Sequence, residues 1–181
     1  FLKDLGVPAF KVASGDITYV QLLEHLGRLE LPVILSTGKS TLGEIEKALE
    51  ALSTDKVILL HCVASYPAAY EEMNLKAITT LQNAFPGIPV GLSDHTLDYI
   101  CALGSVPLGA AVIEKHITYS RAAAGPDHSF AMEKKEFKGN FLTFKNRLLS
   151  KFLLMFGVAL LVFLIFLVKI SHINIFKIKM I

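Results

Sequence analysis

The sequence has few cysteines and, in its last quarter, no acidic residue. Cys62 and Cys101 are the only cysteines among 181 residues, and their spacing fits neither a zinc site nor a disulfide framework. We therefore predict reduced thiols in a cytoplasmic protein. The first residues show no secretory signal peptide, and none is expected if the sequence is a fragment.

Charge is distributed unevenly along the chain. Residues 1–137 hold 11 Lys and Arg against 16 Asp and Glu, whereas residues 138–181 hold 7 basic residues and no acidic one. The formal net charge of +2 therefore combines an acidic front part with a basic tail. The front part also lacks the basic patch with interleaved aromatic residues that nucleic acid binding requires, so we expect no nucleic acid partner.

The tail, residues 138–181, contains an uninterrupted apolar run over residues 152–168, between Lys151 and Lys169. At about 1.5 Å per residue, a helix of this length reaches most of a roughly 30 Å hydrocarbon core. One interpretation is a transmembrane helix of undefined orientation, because lysines flank both ends. The alternative is a segment translated out of its proper frame, which the bias of residues 169–181 toward Ile, Lys and Phe favours.

The front part alternates short apolar runs with stretches of helical periodicity, and no other internal repeat is evident. The runs that are short enough for strands are residues 10–14, 33–36, 57–62, 90–95 and 111–118. Thr41, with Glu44 three residues later, predicts a capping box at the start of a helix. Strands that are apolar on both faces and separated by helices are typical of a parallel sheet, open or closed into a barrel.

Polar side chains lie at or just beyond the carboxyl ends of these predicted strands. They are Lys11, Ser14, Ser36, Tyr66, Ser93, His95, Glu114 and His116. Barrel enzymes place their chemistry at the carboxyl ends of many strands, whereas open sheets bind ligands mainly at one crevice. Polar residues on successive strands therefore favour a partial (β/α)8 TIM barrel, of which these are about the last five strands.

Each of the last two predicted strands ends on a histidine. Because side chains alternate along a strand, Ser93 shares a face with His95. Glu114 and His116 share a face in the same way. Two neutral imidazoles and a carboxylate at neighbouring strand ends suit a divalent ion such as Mn, Fe, Co or Zn, with positions left for water or substrate. The alternative is a pair of partly buried histidines that hydrogen-bond to the backbone.

Short motifs stand out along the front part. They are Lys11-Val-Ala-Ser-Gly-Asp, Pro32-Val-Ile-Leu-Ser-Thr-Gly, Leu60-His-Cys with Ser65-Tyr-Pro, Leu92-Ser-Asp-His-Thr, Glu114-Lys-His and Gly125-Pro-Asp-His. In this order they resemble the sialic acid synthase (NeuB-like) family, and the resemblance covers residues 1–137 as the later part of the catalytic barrel. In that family, earlier barrel strands precede this part and a small antifreeze-like domain usually follows it. This sequence matches neither.

The resemblance implies a transferase that condenses phosphoenolpyruvate with an N-acetylated amino sugar, such as N-acetylmannosamine, in surface carbohydrate biosynthesis. A divalent metal, Mn²⁺ or else Mg²⁺ or Co²⁺, polarises the open-chain sugar aldehyde while carbon 3 of phosphoenolpyruvate attacks it. Water then adds at carbon 2 and phosphate leaves. The matching residues are His95 and His116 for the metal and catalysis, Glu114 for catalysis, Lys11, Ser14, Ser36, Tyr66 and Ser93 for phosphoenolpyruvate, and Asp127 for the sugar. The intact family enzymes are expected to be homo-oligomers.

Several positions depart from the family pattern, namely Ala64, Ser120, Ala131 and Lys134. The family's other strands and its antifreeze-like domain supply further substrate contacts, so we expect the chain by itself to be inactive. Two alternatives remain open. One is a non-catalytic remnant or membrane-attached module. The other is a different metal-dependent barrel lyase or hydrolase, which would share the histidine pair but would not need the Lys11 pocket.

Overall fold

The computed structural model describes residues 1–137 and, for the backbone alone, residues 176–180. The predicted transmembrane segment, residues 152–168, lies outside the described residues. Within the described ranges, no helix combines the length and the apolar character that crossing a bilayer requires.

Strands and helices alternate along the front part, as the sequence predicts. The strands are β1 (Phe10–Val12), β2 (Val33–Ser36), β3 (Val57–Cys62), β4 (Val90–Asp94), β5 (Ile113–Thr118), β6 (Met132–Glu133) and β7 (Phe176–Met180). The helices are α1 (Val20–Gly27), α2 (Leu42–Leu52), α3 (Ala77–Ala84) and α4 (Ile100–Ser105), with single 3₁₀ turns at Ser14–Asp16, Tyr70–Glu72 and Val106–Leu108. The first strand is shorter than predicted because the chain turns into a 3₁₀ helix directly after it.

All strand pairs in the described sheet are parallel. The order is β1-β2-β3-β4-β5-β6, and β7 also pairs with β5. This parallel α/β sheet is about half of a barrel and confirms the predicted partial barrel. Neither β6 nor β7 is predicted from the sequence, since β6 has two residues and β7 lies in the tail.

The two faces of the sheet differ in what they bury. On the helix side, Leu35, Leu59 and Leu92 are fully buried in the larger apolar core. On the concave side, Ile34, Leu60 and Val112 form a small apolar floor. Because residues alternate between faces, the next concave positions after Ile34 and Val112 are Ser36 and Glu114, which are polar and lie next to this apolar floor.

Helix α2 begins where the sequence predicts. The Thr41 hydroxyl accepts the Glu44 backbone N–H at 3.2 Å, and the Glu44 carboxylate accepts the Thr41 N–H at 2.7 Å. This reciprocal pair is the predicted capping box. Ile45, Ala48 and Leu52 are then buried in the larger apolar core, and the helix packs against α1.

Candidate active site

The carboxyl ends of β1, β2 and β5 bring a lysine, a serine and a glutamate together. Lys11 Nζ donates to Ser36 Oγ at 2.7 Å and to the Val12 carbonyl at 2.8 Å. It also lies 3.8 Å from Glu114 Oε1. The Lys11 side chain is only 22% exposed, so it is held within the concave face and is not a solvated surface cation.

Ser93 connects this lysine and glutamate to the first histidine. Its hydroxyl donates to Glu114 Oε1 at 2.8 Å, and its Oγ lies 3.2 Å from His95 Nε2. His95 Nδ1 lies 2.6 Å from the Val63 carbonyl, which can only accept, so Nδ1 carries the proton. Burial lowers the pKa of His95 and favours the neutral ring. Nε2 then keeps its lone pair, with Ser93 Oγ 3.2 Å away.

Aromatic rings surround the second histidine. The Tyr66 ring lies 4.2 Å from the His95 ring and 5.8 Å from the His116 ring, and the Phe130 ring lies 5.2 Å from the His116 ring. His116 Nδ1 is 3.5 Å from Asp127 Oδ2. Burial first, and then nearby acidic groups, raise the pKa of Tyr66, so its phenol stays protonated at neutral pH.

Ser14 closes the other end of the site. Its Oγ accepts the Gly38 backbone N–H at 3.0 Å and lies 3.1 Å from Cys62 Sγ. A Cβ atom on Gly38 would lie 2.8 Å from Cys62 Sγ, so a larger residue would displace the thiol or the serine. Hydrogen bonds, ion contacts and ring contacts therefore bring all the sequence-predicted site residues to one edge of the sheet.

Hydrogen bonds of Arg121 hold the loop after β5 at the carboxyl edge of the sheet. Arg121 makes two hydrogen bonds with the Glu136 carboxylate, at 3.0 and 2.8 Å, and its Nε donates to the Ala131 carbonyl at 3.0 Å. These contacts hold the loop that carries Asp127 and Phe130. The sequence did not predict the contacts of Phe130 or the hydrogen bonds of Arg121, because both depend on contacts across a loop without periodicity.

Sequence reasoning also missed a buried ion pair on the opposite face. Lys115 Nζ lies 3.1 Å from Asp94 Oδ2, and the two side chains are 6% and 0% exposed. Burial lowers the pKa of Lys115, and the neighbouring Asp94 partly offsets this effect. One sequence feature could have indicated this ion pair. Two charged residues lie within otherwise apolar strand sequences, each directly before a histidine.

The NeuB family model matches residues 1–146 of the chain. The chain belongs to the NeuB family. This finding confirms the resemblance drawn from the short motifs, and every predicted site residue lies within the matched part.

Several known proteins are similar to most of the chain. An uncharacterized protein of Methanocaldococcus jannaschii is 51% identical over 76% of this chain and 41% of its own length. The N,N'-diacetyllegionaminic acid synthase of Legionella pneumophila is 43% identical over 76% of this chain and 40% of its own length. An N-acetylneuraminic acid synthetase of Leptospira borgpetersenii, solved with citrate, is 40% identical with a TM-score of 0.75, over 81% of this chain and 51% of that one. The chain spans about two fifths of the length of these curated relatives.

The separation of the two histidine rings can be compared with that of two imidazoles bound to one ion. Two imidazoles on one ion, with bonds of about 2.0–2.1 Å, have ring centroids roughly 5 Å apart. The His95 and His116 centroids are 5.5 Å apart. Metal-binding histidines commonly donate their other ring N–H to a backbone carbonyl, as His95 does toward Val63. Among residues 1–137, no three His, Cys, Asp or Glu side chains form a metal-binding group, so water or substrate would complete the ligand set.

We expect His95 to titrate below its usual pKa of 6.5, because burial disfavours the charged ring. The unfolded chain therefore binds a proton at a higher pH than the folded chain does. Folding stability should fall as pH drops from about 6.5 toward the folded pKa. Titration of the His95 ring signals by NMR checks the direction of the shift. A His95 pKa above 6.5 in the folded chain would contradict it. In His95→Asn, the free energy of unfolding should fall less as the pH drops through this range.

Proposed function

We propose that this chain forms the later half of the catalytic barrel of a sialic-acid-type synthase. Its reaction would be the condensation of phosphoenolpyruvate with an N-acetylated amino sugar in carbohydrate biosynthesis. The observation that carries the proposal is the contact of the Lys11 ammonium with Ser36 and Glu114, beside the histidine pair. Membership in the NeuB family supports this function over an unrelated metal-dependent lyase or hydrolase.

The lysine and serine cluster suits an anionic substrate. The Lys11 ammonium and the hydroxyls of Ser14 and Ser36 converge from the ends of β1 and β2. Ammonium and hydroxyl donors bind phosphate and carboxylate oxygens, and the bonds are stronger when one partner is charged. Phosphoenolpyruvate carries both anions. We assign its phosphate and carboxylate to this cluster, where they would take over hydrogen bonds now made between protein groups.

The histidine side of the site suits the sugar aldehyde. A divalent ion held by His95 and His116 would supply Lewis acidity that polarises the aldehyde oxygen. Tyr66 lies beside both rings and Phe130 beside His116, where they would exclude water from the reacting carbons. Glu114 lies between the anion cluster and the histidines, where it could take the proton of the water that adds at carbon 2. Asp127, beside His116, would bind sugar hydroxyls.

Lys11→Met should weaken phosphoenolpyruvate binding to the full chain by about tenfold to a hundredfold, since a hydrogen bond to a charged group contributes about 1.5–3 kcal/mol. Calorimetry in the presence of Mn²⁺ measures this affinity. Lys56→Met is the matched control, because Lys56 lies before the amino end of β3 and donates to the Glu30 carbonyl. Equal affinity of the Lys11 variant and the unaltered chain, or no binding by either, would contradict the proposed pocket.

The chain alone is not expected to catalyse the condensation. It spans about two fifths of the length of its curated relatives, and the family resemblance implies that other strands contribute substrate contacts. Phosphate release from phosphoenolpyruvate with N-acetylmannosamine and Mn²⁺ should therefore stay at the rate without enzyme. Turnover by the purified chain would show that the described strands suffice for catalysis. A chain that bound neither phosphoenolpyruvate nor metal would instead favour the non-catalytic alternative.

A further inference from the structure

A closed hydrogen-bond network lies behind the histidine pair, on the helix side of β4 and β5. We call its members, Asp94, Thr96 and Lys115, the clamp. Asp94 Oδ1 accepts the Thr96 backbone N–H at 2.9 Å and the Thr96 hydroxyl at 2.7 Å. Asp94 Oδ2 accepts from Lys115 Nζ at 3.1 Å, and Lys115 also donates to the Thr96 carbonyl. Each member therefore contacts the other two.

The clamp surrounds the backbone of the first histidine and adjoins that of the second. Asp94 and Thr96 are the two chain neighbours of His95, and Lys115 directly precedes His116. Because side chains alternate, the clamp residues in the strands face the helices while the histidines face the concave side. Any shift of Asp94 relative to Lys115 would therefore move one imidazole relative to the other.

The backbone pairing between β4 and β5 does not by itself fix the position of His95 relative to His116. The paired positions between β4 and β5 end at Asp94 and Lys115, one residue before each histidine. The clamp adds a further link between the two strands at this point, because it ties residues 94 and 96 to residue 115. His95 has further anchors toward β3, through its ring to Val63 and through its carbonyl to the Ala68 N–H.

The clamp residues are almost completely buried, so their separation can change little. Asp94 and Thr96 are 1% exposed and Lys115 is 6% exposed. A buried charge that loses its partner is strongly destabilising, so the ammonium and the carboxylate tolerate little separation. The hydroxyl and N–H of Thr96 satisfy the remaining carboxylate oxygen. The pair therefore adds a side-chain restraint to the strand spacing that the ladder sets at Asp94 and Lys115.

We infer that the clamp is a positioning device that holds His95 and His116 at the separation needed to share one divalent ion. This inference rests on the proposed metal role of the two histidines. It adds three positioning residues, none of which contacts the ion, and it predicts that loosening the clamp weakens metal binding in a chain that remains folded.

Thr96→Val tests the inference, because valine keeps the shape and loses the hydroxyl, which donates to Asp94 and lies 3.4 Å from the Asp98 carbonyl. Loss of a residue that supports a metal ligand typically weakens binding about 10- to 100-fold, and we expect about tenfold here. Thr96→Ser keeps the hydroxyl and should restore the affinity of the unaltered chain. Calorimetry with Mn²⁺ and the visible spectrum of bound Co²⁺, both on the full chain, measure the effect.

Two further variants separate positioning from general stability. Ile45→Val removes a core methyl group on α2, far from the clamp, and should lower the unfolding midpoint without changing metal affinity. Asp94→Asn combined with Lys115→Met removes both charges together, so that neither remains buried without its partner, and should weaken metal binding at least as much as Thr96→Val. If Thr96→Val binds Mn²⁺ as tightly as the unaltered chain, the inference is overturned while the proposed metal site stands.

A metal-free measurement covers the case in which the unaltered chain binds no ion, which would overturn the proposed metal role. The histidine ring centroids are 5.5 Å apart, close enough for a nuclear Overhauser cross-peak between ring protons. Loss of that cross-peak in Thr96→Val or in the Asp94→Asn, Lys115→Met double variant, with the fold retained, would support the positioning role. An unchanged cross-peak in both would overturn it.

Discussion

Replacing His116 by alanine is expected to abolish stoichiometric binding of Mn²⁺ or Co²⁺ to the full chain. The protein offers two imidazoles at this place, 5.5 Å apart between centroids, and no group of three acidic, thiol or histidine ligands within residues 1–137. An ion held by two nitrogens and by water or substrate loses half of its protein ligands in the variant. The remaining His95 could bind it only weakly.

Calorimetric titration with each metal measures this loss. His25→Ala is the matched control, because His25 is an exposed residue of α1 on the outside of the sheet. The control should bind as the unaltered chain does. An unchanged affinity of His116→Ala would contradict the assignment of His116 as a ligand and leave a satisfied, structural histidine as the better interpretation.

A chain shortened to residues 1–137 is expected to oligomerise or aggregate, although it lacks the apolar tail. In the described sheet, β1 pairs only with β2, so its other edge carries backbone groups without a strand partner. The sequence predicts a second open edge along β5 in the five-strand piece. In the full chain, β6 pairs with β5 at Ile117 and Thr118, and β7 pairs along Ile113–Ile117. Shortening removes β7 and leaves residues 113–116 of this edge without a strand partner.

The energetic reason is the apolar surface that two open edges uncover. At roughly 25 cal/mol per Å², a few hundred Å² of exposed apolar surface costs several kcal/mol. This is comparable with the whole stability of a small domain, about 5–15 kcal/mol. Exposed edges also pair readily with other chains. Sedimentation and denaturant unfolding of residues 1–137 measure the outcome, and a stable monomer with a single cooperative transition would contradict the half-barrel account.

Much of the fold follows from local pattern. The bounds of β2 and β3 agree with the sequence prediction, since both are short apolar runs between turn-forming residues. The start of α2 is fixed by Thr41 and Glu44, which need no distant partner. The segment before β5 is less regular, and α4 gives way to a 3₁₀ turn that contains Pro107.

Part of the site could be predicted from one rule about parallel strands. Parallel strands end at the same edge, so residues at their carboxyl ends must converge there. This rule places Lys11, Ser36, Ser93 and Glu114 together without any knowledge of the register. The roles of these residues in binding or catalysis remain predictions.

Other parts of the site depend on register and on loop contacts, which the sequence does not reveal. The contact between Ser14 and Cys62 spans two strand crossovers. The clamp requires that Asp94 face Lys115 across neighbouring strands. Phe130 reaches His116 from a loop held by Arg121. Each of these contacts is a pairing between distant segments, and neither propensity nor periodicity encodes it.

The most direct test of the metal-centred account is pulsed electron paramagnetic resonance of the full chain loaded with one equivalent of Mn²⁺, with its histidines labelled with ¹⁵N. The account predicts hyperfine coupling from two histidine nitrogens to the same ion, reduced to one nitrogen at most in His116→Ala. A spectrum from bound Mn²⁺ without histidine ¹⁵N coupling would contradict the account.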